Sequence, residues 1–273
     1  MGDSPVDAVR PRLVDWLITP VFMIGFAGTL LLFDPVIRVA SLFGQRPQEF
    51  AAGVLQWSLL SVFRLVGTRI VVERDPAVRA GVPYLIIANH QSLFDIPIFG
   101  GLLFRSYPKF ISKRELAKWF PSISFHLRHG GHAVIDRADR DGATRAIREL
   151  GARVRERGIT AVIYPEGTRA RGGVLGPFRP AGALALLDAA PEIPVVVVAI
   201  DESWRLLRFK LMPVPYGTRV RVWIGAPIAR RPGEDRQALL DGAHAEIERT
   251  LARWRAESAP QAVGGAAQRA ARS

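Results

Sequence analysis

A histidine and an aspartate lie five positions apart, directly after a short apolar run that ends at residue 88: His90 and Asp95. If that run is a strand, the following turn can bring the carboxylate against one ring nitrogen and leave the other free. Such an imidazole can act as a general base near neutral pH, because the carboxylate fixes its tautomer and stabilises the imidazolium. The plainer alternative is a loop histidine followed by an aspartate at a helix N-terminus, and the pair alone does not decide between the two.

A second polar segment, residues 164–169, also follows an apolar run and contains Glu166, Gly167, Thr168 and Arg169. Gly167 permits a turn with positive φ that exposes backbone N–H groups, and Arg169 offers a guanidinium that can grip a phosphate through two hydrogen bonds. The Glu166 carboxylate can order an acceptor hydroxyl or a neighbouring arginine. The alternative is an ordinary β-turn with a surface ion pair.

A third segment, residues 130–137, begins with two glycines, continues through an apolar run and ends in Asp136 and Arg137. Ligands of α/β proteins bind at the carboxyl ends of strands, so Arg137 is expected in the same crevice as the first two segments. A structural ion pair is the alternative. The β-branched run at residues 193–198, which begins Ile-Pro, is predicted to be core.

Three further histidines recur at every third residue and raise the question of a metal site: His126, His129 and His132. Two glycines interrupt the stretch, and no carboxylate or cysteine completes a ligand set. Loop and strand positions are the favoured interpretation, and no metal is predicted.

Several short β-rich runs separated by helical spacing position these segments. The predicted strands are residues 69–73, 84–88, 132–135, 159–164, 195–200 and 219–224. Residues 140–157 carry apolar side chains at helical spacing. The central runs are almost continuously apolar, as in strands with helices on both faces. The predicted fold is therefore α/β, with a mixed, largely parallel sheet covered by helices on both faces.

The N-terminal part of the chain has a different pattern. Residues 16–33 carry no charge and are just long enough to cross a bilayer as a helix. Residues 50–66 are apolar but contain Gln56 and Arg64, which favours an interfacial or core-packed helix. We therefore predict an N-terminal membrane-associated helical hairpin at residues 1–66, an α/β domain at 67–256 and a disordered basic tail at 257–273.

Composition narrows the class of partner. The formal net charge of +12 calls for an anionic partner, and a hydrophobic content of 49% favours a membrane over nucleic acid. The chain has no cysteine, which excludes disulfides, Cys-ligated metals and a cysteine acyl-enzyme.

The order of these segments resembles the glycerophospholipid acyltransferases, in particular the bacterial 1-acylglycerol-3-phosphate acyltransferases. The resemblance rests on an Asn-His-x-x-x-x-Asp block, a Gly-x-x-x-x-Asp-Arg block, a Pro-Glu-Gly-Thr-Arg block and a proline-headed apolar block across residues 84–200. Lys113 lies in a segment like the family's Lys-x-Glu-Leu. Pro180 is a departure, since a second basic residue is expected before the Gly-Ala pair, and it puts acceptor selectivity in question.

The resemblance implies roles for these residues. His90 is expected to be the general base and Asp95 its orienting partner. The phosphorylated acceptor is expected to bind through Lys113, Arg137, Glu166, Gly167, Thr168 and Arg169. The implied reaction moves an acyl group from acyl-CoA or acyl-carrier protein to the sn-2 hydroxyl of 1-acylglycerol 3-phosphate, with no cofactor, at the cytoplasmic face of the inner membrane.

Alternatives remain open on the sequence alone. The acceptor can instead be another lysolipid, such as a lyso-ornithine lipid or other lysophospholipid, or glycerol 3-phosphate. Outside enzymes, the alternative is a non-catalytic basic protein that binds membranes. A nucleic-acid partner is not expected.

Overall fold

A computed structural model describes residues 10–136 and 138–258. Its helices are α1 Leu13–Leu42, α2 Gln45–Leu65, α3 Asp95–Leu102, α4 Ile123–His129, α5 Arg140–Arg157, α6 Pro180–Ala189 and α7 Arg236–Ser258. Its strands are β1 Arg69–Arg74, β2 Leu85–Ala88, β3 Lys109–Lys113, β4 Ala133–Ile135, β5 Ala161–Ile163, β6 Val195–Asp201 and β7 Arg219–Ile224. Residues 259–273 of the predicted tail lie outside the described part of the chain.

The described strands form one sheet in the order β1-β7-β6-β2-β5-β3-β4. Every neighbouring pair is parallel except β6 and β7. All residues of β2, β5 and β6 are buried, as expected where helices cover both faces of a sheet. The predicted fold class is therefore confirmed. Because β2, β3, β4, β5 and β6 are parallel, the segments that follow them meet at one edge of the sheet.

Alternate residues along β2 point into two separate cores. Ile86 faces a core formed with α1, α2 and α3, which includes Phe63 and Phe94. Leu85 faces the opposite core, formed with α5, α6 and α7. Helix α5 has the bounds that its spacing predicts, begins where the Asp139 carboxylate accepts the Gly142 N–H, and ends at a glycine with positive φ.

Strand β3 was missed from the sequence because charged residues stand at both of its ends. Lys109, its first residue, is 1% exposed. Its ammonium group lies 2.8 Å from the Glu49 carboxylate of α2, which also pairs with Arg157 of α5. A buried lysine is tolerated only with such a partner, and a pairing across 60 positions leaves no local signal.

Helices α1 and α2 are consecutive, contact each other extensively and are joined by a short turn at Phe43 and Gly44. They form the predicted hairpin. Among the described helices, α1 alone is long and apolar enough to cross a membrane by length and composition. Helix α2 instead buries much of its surface in the domain, although Phe50 and Trp57 remain exposed.

Two sets of hydrogen bonds hold α1 along the α/β domain. Near its start, the Tyr216 N–H donates to Asp15 Oδ1 at 2.8 Å, and the Val214 N–H donates to Thr19 Oγ1 at 2.8 Å. Further along, the Ser122 N–H donates to the carboxylate of Asp34 at 2.6 Å. At 1.5 Å per residue, Asp15 and Asp34 are about 28 Å apart along the helix. The domain therefore contacts α1 over much of its length.

Candidate active site

The structure brings His90 and Asp95 together at the carboxyl end of β2. The strand ends at Ala88 and α3 begins at Asp95, so the two side chains face each other across a turn. His90 Nδ1 lies 2.8 Å from Asp95 Oδ2. Among the described residues none bonds to His90 Nε2, and His90 lines the adjoining cavity. An imidazole held in this way can accept a proton from a molecule in that cavity.

Both oxygens of the buried Asp95 carboxylate are held by other donors. Besides the imidazole, Oδ2 accepts the N–H of Gln91 at 2.7 Å and that of Ser92 at 2.9 Å. Oδ1 accepts the hydroxyl of Ser203 at 2.6 Å. These donors fix the plane of the carboxylate, and with it the orientation of the His90 ring.

Asn89 joins the ends of two central strands. Its Nδ2 donates to the carbonyl of Ile200 at 2.9 Å, and its Oδ1 accepts the Ile200 N–H at 2.8 Å. The side chain is fully buried. It therefore ties the end of β2 to β6. Asn89 is one residue before His90, and its partner Ile200 is three residues before Ser203.

Glu166 contacts backbone groups beside His90. One carboxylate oxygen accepts the His90 N–H at 2.7 Å, and the other accepts the Gly176 N–H at 2.9 Å. Burial raises the pKa of the Glu166 carboxyl above its ordinary value, and the two backbone N–H groups oppose that shift. The side chain is 3% exposed and is not among the cavity walls. Through these two contacts Glu166 can hold the His90 turn in place.

Tyr164 packs flat against the His90 ring, with the two centroids 4.2 Å apart and the planes 16° from parallel. Burial raises the pKa of its hydroxyl well above the ordinary value, so the hydroxyl stays neutral at physiological pH. The Asp95 hydrogen bond holds the edge of the imidazole ring, and the stacked Tyr164 ring restricts movement of its face.

The cavity next to His90 has a volume of about 550 Å³ and two kinds of lining residue. Its lining includes the cationic side chains of Lys113, Arg169 and Arg179, together with Gly167 and Thr168. Gly167 has φ +66° and is approached by the Arg179 side chain. The lining also includes the apolar side chains of Leu93, Ile96, Ile111, Leu116, Ile135, Ile147 and Ile163. Such a cavity suits an anion attached to a hydrocarbon chain.

The remaining sequence predictions fall in different places. Arg137 lies outside the described residues. His126 and His132 are neighbours, with ring centroids 4.6 Å apart, whereas His129 is exposed and stacks on Phe125. Burial lowers the pKa of His126 to about 3. Over residues 10–136 and 138–258, no three His, Cys, Asp or Glu side chains are grouped to hold a metal ion.

Comparison with known proteins adds to this geometry. A family model described as Acyltransferase matches residues 69–201, from the first residue of β1 to the last of β6. The chain is 28% identical over 180 residues to the 1-acyl-sn-glycerol-3-phosphate acyltransferase of Cocos nucifera. It is 29% identical over 197 residues to the human 1-acyl-sn-glycerol-3-phosphate acyltransferase alpha, covering 69% of this chain and 68% of that one. In both comparisons the chain is therefore similar to acyltransferases.

A solved structure has a similar fold. The 1-acyl-sn-glycerophosphate (LPA) acyltransferase PlsC of Thermotoga maritima superposes with a TM-score of 0.73 at 22% identity, over 89% of this chain and 96% of that one. The sequence match to the Cocos nucifera protein covers 66% of this chain but only 54% of the relative's length. For the Limnanthes douglasii relative the match covers 66% of its length.

Sequence reasoning missed two residues of this candidate site. Ser203 follows the apolar β6 as one serine among several polar residues, and its contact with Asp95 depends on strand order. Arg179 directly precedes Pro180, the residue at which the sequence departs from the family pattern. Pro180 is in fact the first residue of α6, a favourable position for proline, and Arg179 stands immediately before it at the cavity.

Proposed function

We propose that the protein is an O-acyltransferase that moves a fatty acyl group from acyl-CoA or acyl-carrier protein to the free sn-2 hydroxyl of 1-acylglycerol 3-phosphate, giving phosphatidic acid. The observation that carries the proposal is the His90–Asp95 pair at the edge of a cavity with cationic and apolar walls. The names of the relatives support the same acceptor.

The reaction follows from this arrangement. His90 Nε2 takes the hydroxyl proton of the acceptor as the acceptor oxygen forms a bond to the thioester carbonyl carbon. The carbon–sulfur bond then breaks, and the imidazolium returns the proton to the departing sulfur. Asp95 stabilises the imidazolium between these steps. The reaction forms no covalent enzyme intermediate and uses no cofactor beyond the acyl donor.

The cationic and the apolar residues of the cavity bind different parts of the acceptor. Lys113, Arg169 and Arg179 neutralise the phosphate of the acceptor, and the backbone at Gly167 and Thr168 lies beside it. Arg137 is assigned the same role by resemblance. The isoleucines and leucines of the cavity bind hydrocarbon. Glu166 contributes by holding the His90 turn.

The hairpin binds the enzyme to one leaflet of the membrane, at the cytoplasmic face, where a soluble thioester donor is available. Large apolar side chains are exposed along α1, including Leu17, Ile24, Leu31 and Leu32. Yet the α/β domain forms hydrogen bonds to α1 at Asp15 and again at Asp34. If α1 crossed the bilayer, Asp15 and Asp34 could not both contact a domain that stays in water. We therefore infer that α1 lies along the membrane surface, which allows both contacts.

The test is a panel of acceptors offered to purified full-length protein in phospholipid vesicles, with acyl-CoA or acyl-carrier protein as donor and products identified by mass spectrometry. We expect phosphatidic acid from lysophosphatidic acid at the highest rate. Preferential acylation of glycerol 3-phosphate or of a lysolipid without a phosphomonoester would contradict the acceptor assignment. Absence of acyl transfer to every acceptor would contradict the proposal that the protein is an acyltransferase.

A further inference from the structure

Residues 114–122, here named the lip segment, connect β3 to α4 and expose large aromatic side chains. Trp119 is 86% exposed and Phe120 is 49% exposed, although large aromatic side chains are normally buried in a core or an interface. Leu116, in the same segment, is 38% exposed. The segment therefore offers a small apolar surface without a cover in the described part of the chain.

The lip segment lies between the cavity and α1. On one side, Leu116 is part of the cavity wall, three residues before Trp119. On the other, the Ser122 hydroxyl donates to the Leu30 carbonyl of α1 at 2.5 Å, three residues after Trp119. Three residues of chain reach at most about 11 Å. Trp119 is thus close to both the cavity and the helix that exposes most apolar surface.

Internal hydrogen bonds fix the shape of the lip segment. The Phe120 N–H donates to Ser124 Oγ at 2.8 Å, and that hydroxyl donates to the Leu116 carbonyl at 3.1 Å. The Ser124 N–H returns a bond to the Phe120 carbonyl at 2.9 Å. A segment closed in this way presents its aromatic side chains outward as a consequence of its fold.

We propose that the lip segment is a second contact with the phospholipid bilayer, which inserts Trp119 and Phe120 among the headgroups and brings the cavity entrance to the membrane surface. The inference rests on the proposed function. Its partner follows from continuity with the apolar face of α1 and from charge, since Lys118, directly before Trp119 in the chain, is exposed and suits anionic headgroups. An acceptor lipid can then enter the cavity without crossing water.

The test uses the fact that the chain has no cysteine. Trp119→Cys, Leu32→Cys and Ala252→Cys each introduce a single thiol for an environment-sensitive dye, and the labelled full-length proteins are bound to anionic vesicles containing spin-labelled lipid. Leu32 is an exposed residue of α1, and Ala252 is an exposed residue of α7, the helix on the opposite face of the sheet. We expect the lipid to quench the dye at positions 32 and 119 and to leave it unchanged at 252.

The remaining outcomes separate the two proposals. Quenching at 32 without quenching at 119 overturns the lip contact and leaves membrane binding by the hairpin intact. Absence of quenching at both positions overturns the membrane part of the proposed function as well. In an activity assay, Trp119→Ser with Phe120→Ser should lower acylation of a vesicle-embedded acceptor on the order of tenfold and leave a monomeric short-chain acceptor unaffected. Equal loss on both acceptors would also overturn the lip contact.

Discussion

Replacement of Asp95 by asparagine tests how the carboxylate acts on His90. Oδ2 accepts two backbone N–H groups as well as the imidazole, whereas the Ser203 hydroxyl is the one donor to Oδ1 among the described residues. An asparagine amide must therefore turn its oxygen toward the three donors and its NH₂ group toward Ser203. The serine can accept that hydrogen bond by rotating its own proton. The variant should keep the ring orientation and the tautomer of His90 and lose only the negative charge.

The size of the effect follows from that loss. A hydrogen bond to a charged group contributes about 1.5–3 kcal/mol, so stabilisation of the imidazolium should fall by about that amount and kcat by about 10- to 100-fold. An amide that instead turned its NH₂ group to the ring would hold the wrong tautomer and cost about 10⁴-fold.

The assay is steady-state transfer from acyl-CoA to lysophosphatidic acid, with circular dichroism as the measure of folding. Asp188→Asn, which removes an exposed carboxylate paired with Arg236, is the matched control and should leave kcat unchanged. A folded Asp95→Asn protein with wild-type kcat, or with a loss near 10⁴-fold, would refute the reasoning from the donor pattern.

The remaining predictions concern binding, positioning and stability. Arg169→Ala should raise the KM for the phosphorylated acceptor about 10- to 100-fold, whereas the exposed Arg155→Ala should not; a change confined to the donor KM contradicts the phosphate assignment. Ser203→Ala, which removes one donor to the carboxylate, should lower kcat about three- to tenfold at unchanged KM, with recovery in Ser203→Thr; a pure stability loss in denaturant titrations would exclude a positioning role. Glu49→Gln should cost about 3–5 kcal/mol of unfolding free energy at pH 7, because it leaves the buried Lys109 ammonium without its carboxylate, and Lys109→Met should cost much less. Burial lowers the pKa of Lys109 to about 8 and the Glu49 carboxylate opposes that shift, so loss of Glu49 lowers this pKa further. The variant then sheds the buried charge at a lower pH than the wild type, and the Glu49→Gln defect should shrink as the pH rises toward 8. A pH-independent defect in urea titrations would contradict that account.

Local patterns in the sequence were sufficient for most of the fold. The apolar stripe of α5 and the buried runs of β2 and β6 depend on short-range periodicity, and the structure has them where the pattern predicts. Strand β3 was missed because it has a lysine at each end, and the partner that makes the burial of Lys109 possible, Glu49, is distant in sequence.

The residues of the candidate site also differ in whether local sequence predicts them. His90 and Asp95 belong to one turn, so their spacing was informative. Ser203 reaches Asp95 from 108 positions away, and only the order of strands in the sheet brings it there. The sequence assigned Glu166 to the acceptor by resemblance, whereas its described contacts are the backbone N–H groups of His90 and Gly176. That local role could not be read from the residue types.

The measurement that tests the central claim most directly is the rate of phosphatidic acid formation by wild-type and His90→Ala protein, with lysophosphatidic acid and acyl-CoA as substrates and mass spectrometry as the readout. A general base contributes about 10²- to 10⁴-fold, so His90→Ala should lose at least about two orders of magnitude in rate while circular dichroism and vesicle binding stay unchanged. Phosphatidic acid formed by folded His90→Ala protein at a rate near that of the wild type would contradict the account.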